Sequence, residues 1–227
     1  MLQRKRTVID LRGKFIVIEG PDNVGRSTHV KYLTQRLEAY GVATGEIGLL
    51  RSDLLGGMMK SHSNEVHSLN FLTRSLLYAT DLYDQVLNKA IPLLEAGFVI
   101  VADRYTLTPL IREEVRNGDG SWIESLYQTV PTPDVIIVLD AGPKRQLDRL
   151  LYSENLDKLN HFEAGMDMGL DTSITKSFLK YQKVIRQTYK EIVEKTDNCH
   201  LISTKGRMAE VHNDIWSFVY PYLKDII

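Results

Sequence analysis

The chain has 227 residues, with 28 Lys or Arg against 29 Asp or Glu and a formal charge of -1, a size that suits one well-packed domain and is short for two. The balanced charge excludes the net basic field that gathers nucleic acid, and no apolar run approaches the ~20 residues a membrane helix needs. The single cysteine, Cys199, cannot close an internal disulfide, so a soluble protein of the reducing cytoplasm is expected.

In chain order, the basic start MLQRKRTVIDLRG lacks the apolar core of a secretion signal, and its Arg4–Arg6 run reads as a solvated tail. The first apolar run is KFIVIE at 14–19, read as a buried strand. Residues 26–40 carry Val30, Leu33, Leu37 and Tyr40 at helical spacing, and VATGEIGLL at 42–50 is a weaker strand candidate. His62 and His67 lie in SHSNEVH without an acidic or cysteine partner at ligand spacing and read as solvated loop residues. Residues 67–95 repeat the helical rhythm through Leu69, Leu72, Leu76, Ala79, Tyr83, Val86 and Ala90, with Pro92 expected to kink or end the helix. Further strands are expected at 98–103, 134–140 and 199–203, and helices at 143–153, 173–195 and 207–224. The runs are rich in Val and Ile and do not alternate, which predicts parallel strands covered on both faces by helices, an α/β fold. The irregular stretch 154–172, with Gly165 and Gly169, reads as a mobile flap.

The chemistry concentrates in GPDNVGRST, residues 20–28. Gly20 and Gly25, spaced by four residues and followed by Arg26 and Ser27, match a phosphate-binding loop except that Arg26 stands where lysine is usual. A strand ends at Glu19 and a helix begins near Arg26. Gly20, Pro21, Asn23, Val24, Gly25, Arg26, Ser27 and Thr28 are therefore expected to wrap the phosphates of a nucleotide at a helix N-terminus. The Ser27 hydroxyl is placed for Mg²⁺.

With FIVIEGPDNVGRSTHVKYLTQRLEAYG, LRSDLLGGMM, LLYATDLYDQV, VADRYTLT, VLDAGPKRQLDRL and HFEAG in view, the chain resembles the thymidylate kinase family from about residue 13 to about 203. The resemblance implies a P-loop NTP hydrolase fold with a five-stranded parallel sheet and a lid, and transfer of the ATP γ-phosphoryl to dTMP with Mg²⁺. It implies that Asp22 approaches the acceptor sugar and metal-bound water, that Arg51 and Arg104 grip the acceptor phosphate, and that Asp103 organises metal-bound water. Tyr105 is implied against the deoxyribose and Tyr78 against the base, with Leu82 and Gln85 on the same helix face. Arg149 is expected on the nucleotide, and catalysis is assigned to Arg26, Asp22 and Asp103. The expected partner is a nucleoside monophosphate; a homodimer is compatible with the reading, while a nucleic-acid polymer and a membrane are not expected.

The chain departs from the family in several places. Arg26 replaces lysine, Leu82 replaces an acceptor-touching arginine, and Arg112 and Glu113 replace a Tyr-Gln pair of the base pocket. Arg112 is expected to restore the charge lost at Leu82, and Glu113 to favour a hydrogen-bond donor on the acceptor. The loop has Asn23 rather than arginine, and the lid positions are Leu151 and Ser153, leaving Arg149, Lys158 and His161 as nearby basic groups. Arg26 is therefore assigned a double role, as loop cation and as partial substitute for a missing arginine. Two alternatives stay open: a kinase for another nucleotide or phosphorylated metabolite, and a nucleotide-binding protein with little or no catalysis. Asp140 suits either strand-end capping or the site, and Cys199 reads as a packed strand residue.

Overall fold

The structure, a computed structural model, describes residues 11–152, 159 and 161–227. Five strands form one parallel sheet: β1 Lys14–Glu19, β2 Thr44–Gly48, β3 Val99–Asp103, β4 Val135–Asp140 and β5 Cys199–Ser203, in the order β2-β3-β1-β4-β5. All five sequence-predicted strands are present. The weak candidate at 42–50 is an edge strand, shortened to five residues that include two glycines.

Alternation along β1 sorts the core into two layers. Ile16 and Ile18 face α1 (Arg26–Ala39) and α10 (Met208–Val219), packing with Val30, Leu33, Leu37, Ile215 and Val219. Phe15 and Val17 point the other way, to Ala79, Leu82, Val86, Ala90 and Leu94. Each such side chain contributes about 1.5–3 kcal/mol on burial, so a sheet covered on both faces needs strands that are apolar throughout. Further along the second face, Val138 and Cys199 lie under Tyr181, Ile185 and Tyr189 of α9 (Ile174–Glu194). Burial pushes the Cys199 thiol up to about 12, so it behaves as a packed apolar residue.

The long helical pattern at 67–95 resolves into more pieces than its rhythm suggested. After α2 (Gly56–Ser61), His67 belongs to α3 (Ser63–Ser68), and α4 (Phe71–Gln85) begins behind Asn70, whose side chain accepts from the Leu72 N–H. His67 is therefore not a solvated loop residue: its ring stacks on Phe162. Pro92 does not end the helix at its own position. A π turn, Val86–Ala90, in which the Ile91 N–H reaches the Val86 carbonyl, leads into α5 (Ile91–Glu95), with Pro92 in its first turn where a missing N–H is harmless. Two short helices, α6 (Leu107–Glu114) and α7 (Gly120–Leu126), lie between β3 and β4, and α8 (Pro143–Tyr152) follows β4. In the predicted flap, 154–158 and 160, and with them Lys158, lie outside the described residues, as does Ser153. Residues 162–168 are tied down: Ala164 O accepts from Ser177 Oγ at 2.8 Å and Phe162 O from Arg116 at 2.8 Å.

Candidate active site

Functional side chains gather at the C-terminal ends of the strands, where ligands bind in open parallel sheets. β1 ends at Glu19, a fully buried carboxylate that accepts from the Tyr105 and Thr108 N–H groups and from the hydroxyls of Thr108 and Tyr189. It thereby fixes the start of α6 to the phosphate loop.

The loop follows at once. Gly20 has φ 131°, and a Cβ there would stand 2.6 Å from Leu139 O, so only glycine fits. Asn23 and Gly25 also take positive φ, 60° and 97°, bending the backbone into an anion-binding concavity ahead of α1. Val24 anchors the loop in the core, and Ser27 and Thr28 stay exposed at its mouth. A cavity of about 730 Å³ opens from this loop. Its other walls are Arg145 and Arg149 of α8, Thr204 and Gly206 after β5, and Met208 and Val211 of α10. Arg149 donates to Asn23 O at 3.0 Å and so lies against the loop.

Arg26 is turned back onto its own loop. Its guanidinium donates to Gly20 O at 2.7 Å and to Pro21 O, and its Nε donates to Asp103 Oδ1 at 3.1 Å. It also faces Asp22 at 3.5 Å. The fork thus joins the loop to β3, a linkage one ammonium group does not reproduce.

Asp103, at the end of β3, accepts from Ser27 Oγ at 2.5 Å and from Arg51 at 2.6 Å. Burial would raise its carboxyl, but Arg26, the Ser27 hydroxyl and Arg51 outweigh this and hold it below the usual range. Gly48 lets Asp103 and Arg51 approach, since a Cβ there would stand 2.6 Å from Asp103 O and 3.1 Å from the Arg51 side chain. Arg104 has φ 70°, an unusual conformation for a residue other than glycine, and its guanidinium donates to Asp22. Arg112 on α6 bridges Asp22 at 2.9 Å and Glu163 at 2.8 Å. Burial opposes ionisation of Asp22, yet Arg104, the hydrogen bond with Glu163, Arg112 and Arg26 keep it well below the usual range. Burial pushes Glu163 up to about 7, against the pull of Arg112.

The structure thus brings Asp22, Arg26, Ser27, Arg51, Asp103, Arg104 and Arg112 into one cluster. It places others elsewhere. Tyr105 is 2% exposed, packs edge-on to Phe15 at 4.9 Å and donates to Pro131 O, so it belongs to the core rather than the cleft. Leu82 is likewise core, beside Phe15 and Val17. Gln85 braces β2 through both the N–H and the carbonyl of Gly48, so the expected wall of Tyr78, Leu82 and Gln85 is not a single surface. Glu113 is not open to an acceptor base: it forms a two-pronged ion pair with Arg74, both contacts 2.6 Å. Tyr78 is fully buried beside Leu49 and Met59, with Arg112, Glu163 and Arg104 near its hydroxyl. The Asp140 side chain pairs with Arg186 of α9 through both oxygens, at 2.5 and 2.6 Å. Leu151 is exposed near the end of α8.

Sequence reading missed Arg74, Arg116, Glu19 and Asp81. Arg74 had a signal, standing four residues before Tyr78 on the helix, and Glu19 had another, an acid closing an apolar strand. Asp81 accepts from the Leu50 and Ser52 N–H groups and shapes the turn that carries Arg51.

Among the described residues no group of three or more His, Cys, Asp or Glu is placed to hold a metal by itself. Ser27 Oγ and Asp103 Oδ2 nevertheless converge at the loop mouth. Two hard oxygens beside a phosphate site fit Mg²⁺, which takes few protein ligands and completes its shell with phosphate and water.

A parallel sheet of this order, a glycine loop at the central strand's end and arginines across the cleft define a P-loop nucleotide-handling protein of the α/β class. Comparison with known proteins makes this specific. The thymidylate kinase family profile matches residues 18–215. The chain is 28% identical to a protein named probable thymidylate kinase 2 from Saccharolobus solfataricus, over 94% of this chain and 98% of that one. It is 28% identical to a thymidylate kinase of Caldicellulosiruptor saccharolyticus, over 94% and 99%. A probable thymidylate kinase of Pyrococcus abyssi is 25% identical over 92% and 97%. The chain belongs to the thymidylate kinase family.

Proposed function

We propose that the chain is a nucleoside monophosphate kinase that moves the γ-phosphoryl of ATP to dTMP. The observation that carries this is the facing of two sets of groups. On one side the loop and its 730 Å³ cavity offer backbone N–H groups and Arg149 to a nucleotide triphosphate. On the other, Arg51, Arg104 and Arg112 arrive from three separate elements. Asp22 and Asp103 lie between and hold those arginines in place.

In the reaction an acceptor phosphate oxygen forms a bond to the γ-phosphorus, while the bond from that phosphorus to its bridging oxygen breaks. Such transfer needs positioning and charge neutralisation rather than a covalent partner. Planar arginines suit the acceptor phosphate, taking two oxygens at once. Mg²⁺, which Ser27 and Asp103 would hold, supplies charge neutralisation on the donor phosphates. Arg26 fixes the loop against Asp103 and Asp22, so donor and acceptor groups keep one relative position. No helix among the described residues is long and apolar enough to cross a membrane; with the single cysteine, this supports the proposal of a cytoplasmic enzyme.

The test is turnover with ATP and Mg²⁺ on a panel of nucleoside monophosphates. dTMP should be the preferred acceptor, giving dTDP and ADP in equal amounts. Preference for another monophosphate overturns the acceptor, and nucleotide binding without turnover on the whole panel overturns the kinase.

A further inference from the structure

The donor cavity measures about 730 Å³; the space enclosed by Asp22, Arg104, Arg112, Glu163 and Tyr181 keeps about 10 Å³, and on the outer side of Phe162 and His67 a second cavity of about 750 Å³ opens. What stands at the acceptor end is the chain's own segment around Phe162 and Glu163. The Phe162 ring, 5% exposed, lies in a cage. The His67 imidazole stacks on it at 4.3 Å with the planes 10° apart. Guanidinium carbons of Arg116, Arg74 and Arg112 stand 3.7, 4.9 and 5.8 Å from its centroid. One residue on, the Glu163 carboxylate accepts from Arg112 at 2.8 Å.

A flat ring between an imidazole and a guanidinium, followed by a carboxyl group that accepts from an arginine, uses the same recognition chemistry as a nucleobase followed by its phosphate. The Tyr78 hydroxyl adds an independent sign. It is buried with no hydrogen-bond partner among the described residues, in the company of Arg112, Glu163, Arg104 and Arg74. An unmade hydrogen bond at a buried hydroxyl is costly, so this filled arrangement leaves something for a ligand to satisfy.

We propose that Phe162 and Glu163 form an intramolecular plug at the acceptor end of the cleft, the ring standing for a nucleobase and the carboxyl oxygen on Arg112 for a phosphate oxygen, which the acceptor displaces on binding. The plug rests on the kinase reading for the identity of that acceptor. Its effect is a lowered apparent affinity, since the acceptor binds only the unplugged fraction. Arg112 serves both states, holding Glu163 in one and anionic acceptor in the other.

The experiment compares dTMP binding to the full-length native protein and to Phe162→Ala by titration calorimetry, with a non-hydrolysable ATP analogue as the measure of an intact fold. The variant should bind dTMP at least ~10-fold more tightly, with analogue affinity unchanged. Equal or weaker dTMP binding, with the analogue still bound, overturns the plug and makes Phe162 a packing residue. Should the alanine variant not fold, Phe162→Leu retains apolar volume without the flat ring and is expected to move affinity in the same direction. In the native protein, saturating dTMP should shift the His67 ring resonances as the stacked phenyl leaves; unmoved resonances overturn the plug. Native turnover of dTMP with no gain in the variant sinks the plug alone. Tighter dTMP binding by the variant, with no turnover by either protein, keeps the plug and sinks the kinase. No dTMP binding by either sinks both.

Discussion

Arg26 and Asp103, 77 residues apart in sequence, are joined by an Nε to Oδ1 contact of 3.1 Å that ties the phosphate loop to the neighbouring strand. The same guanidinium holds the carbonyls of Gly20 and Pro21, so the residue that departs from the usual loop lysine acts as a buckle. Arg26→Met should lower turnover by ~10³-fold or more, the scale of losing an arginine in phosphoryl transfer. Arg26→Lys should fall between, because an ammonium group keeps the charge and loses the fork. Single-turnover rates at saturating nucleotide check this. A lysine variant faster than the native protein would show that position 26 is a damaged lysine site.

Arg104 reaches the cleft from a left-handed backbone conformation and pairs with Asp22. Arg104→Ala should weaken dTMP binding by about 2 kcal/mol or more, the scale for one side of a buried hydrogen-bonded charge pair. Affinity for an ATP analogue should change little, since the donor cavity does not include Arg104. Equal loss of both affinities in a folded variant argues that Arg104 supports the loop rather than the acceptor.

The Arg74–Glu113 pair is almost fully buried, at 6% and 1% side-chain exposure. Arg74→Met leaves the Glu113 carboxylate in the interior without its partner and should cost about 3–5 kcal/mol of stability. The double variant Arg74→Met, Glu113→Leu should recover most of that loss, because the desolvated charge goes with its partner. Urea unfolding measures both. A double variant no more stable than the single would show that Arg74 matters chiefly through its contacts to His67 O and Leu69 O.

Two histidines are held neutral. Burial, then Arg112 and Arg74, bring His67 down to about 3, and burial, then His212 and Arg149, bring His29 down to about 4. The unfolded chain takes up these protons below its ordinary value near 6.5, while the fold does not. Their contribution to stability is therefore complete above pH 6.5 and is lost as pH falls through the folded values. Glu163, raised to about 7, has the opposite sign: its contribution is complete below the unfolded value of 4.5 and is lost as pH rises through 7. Between pH 6.5 and 4.5 the native protein should lose stability relative to a His29→Asn, His67→Asn double variant, as read from urea midpoints. Parallel pH profiles would mean that neither ring is shielded.

Periodicity and β-rich runs carried the sheet. Strands buried on both faces announce themselves by unbroken Val and Ile, and the glycine loop by its spacing. The short helices did not announce themselves, because α2, α3, α6 and α7 span at most eight residues each and offer too few turns for a rhythm. Within the site, groups fixed by chain-local geometry, such as Gly20 to Thr28 and the Asp103-Arg104 pair, were legible. The partners of Glu113 and Gln85 were not, since these depend on which distant backbone or side chain packs opposite. Tyr105 shows the converse: its place in a motif suggested the cleft, while the size of its ring and the apolar floor at Phe15 draw it into the core.

Glu19 has a consequence for how the protein is made. Its partners lie 86, 89 and 170 residues further along the chain. On a ribosome the loop that opens the sequence emerges early, but the carboxylate that anchors it meets Tyr189 only after α9 has been synthesised. β4, which pairs with the central strand, gains its own outer neighbour later still, with β5. The nascent chain therefore carries the nucleotide loop well before it carries the scaffold that holds it, and this end of the sheet is completed only once α9 and β5 have left the exit tunnel.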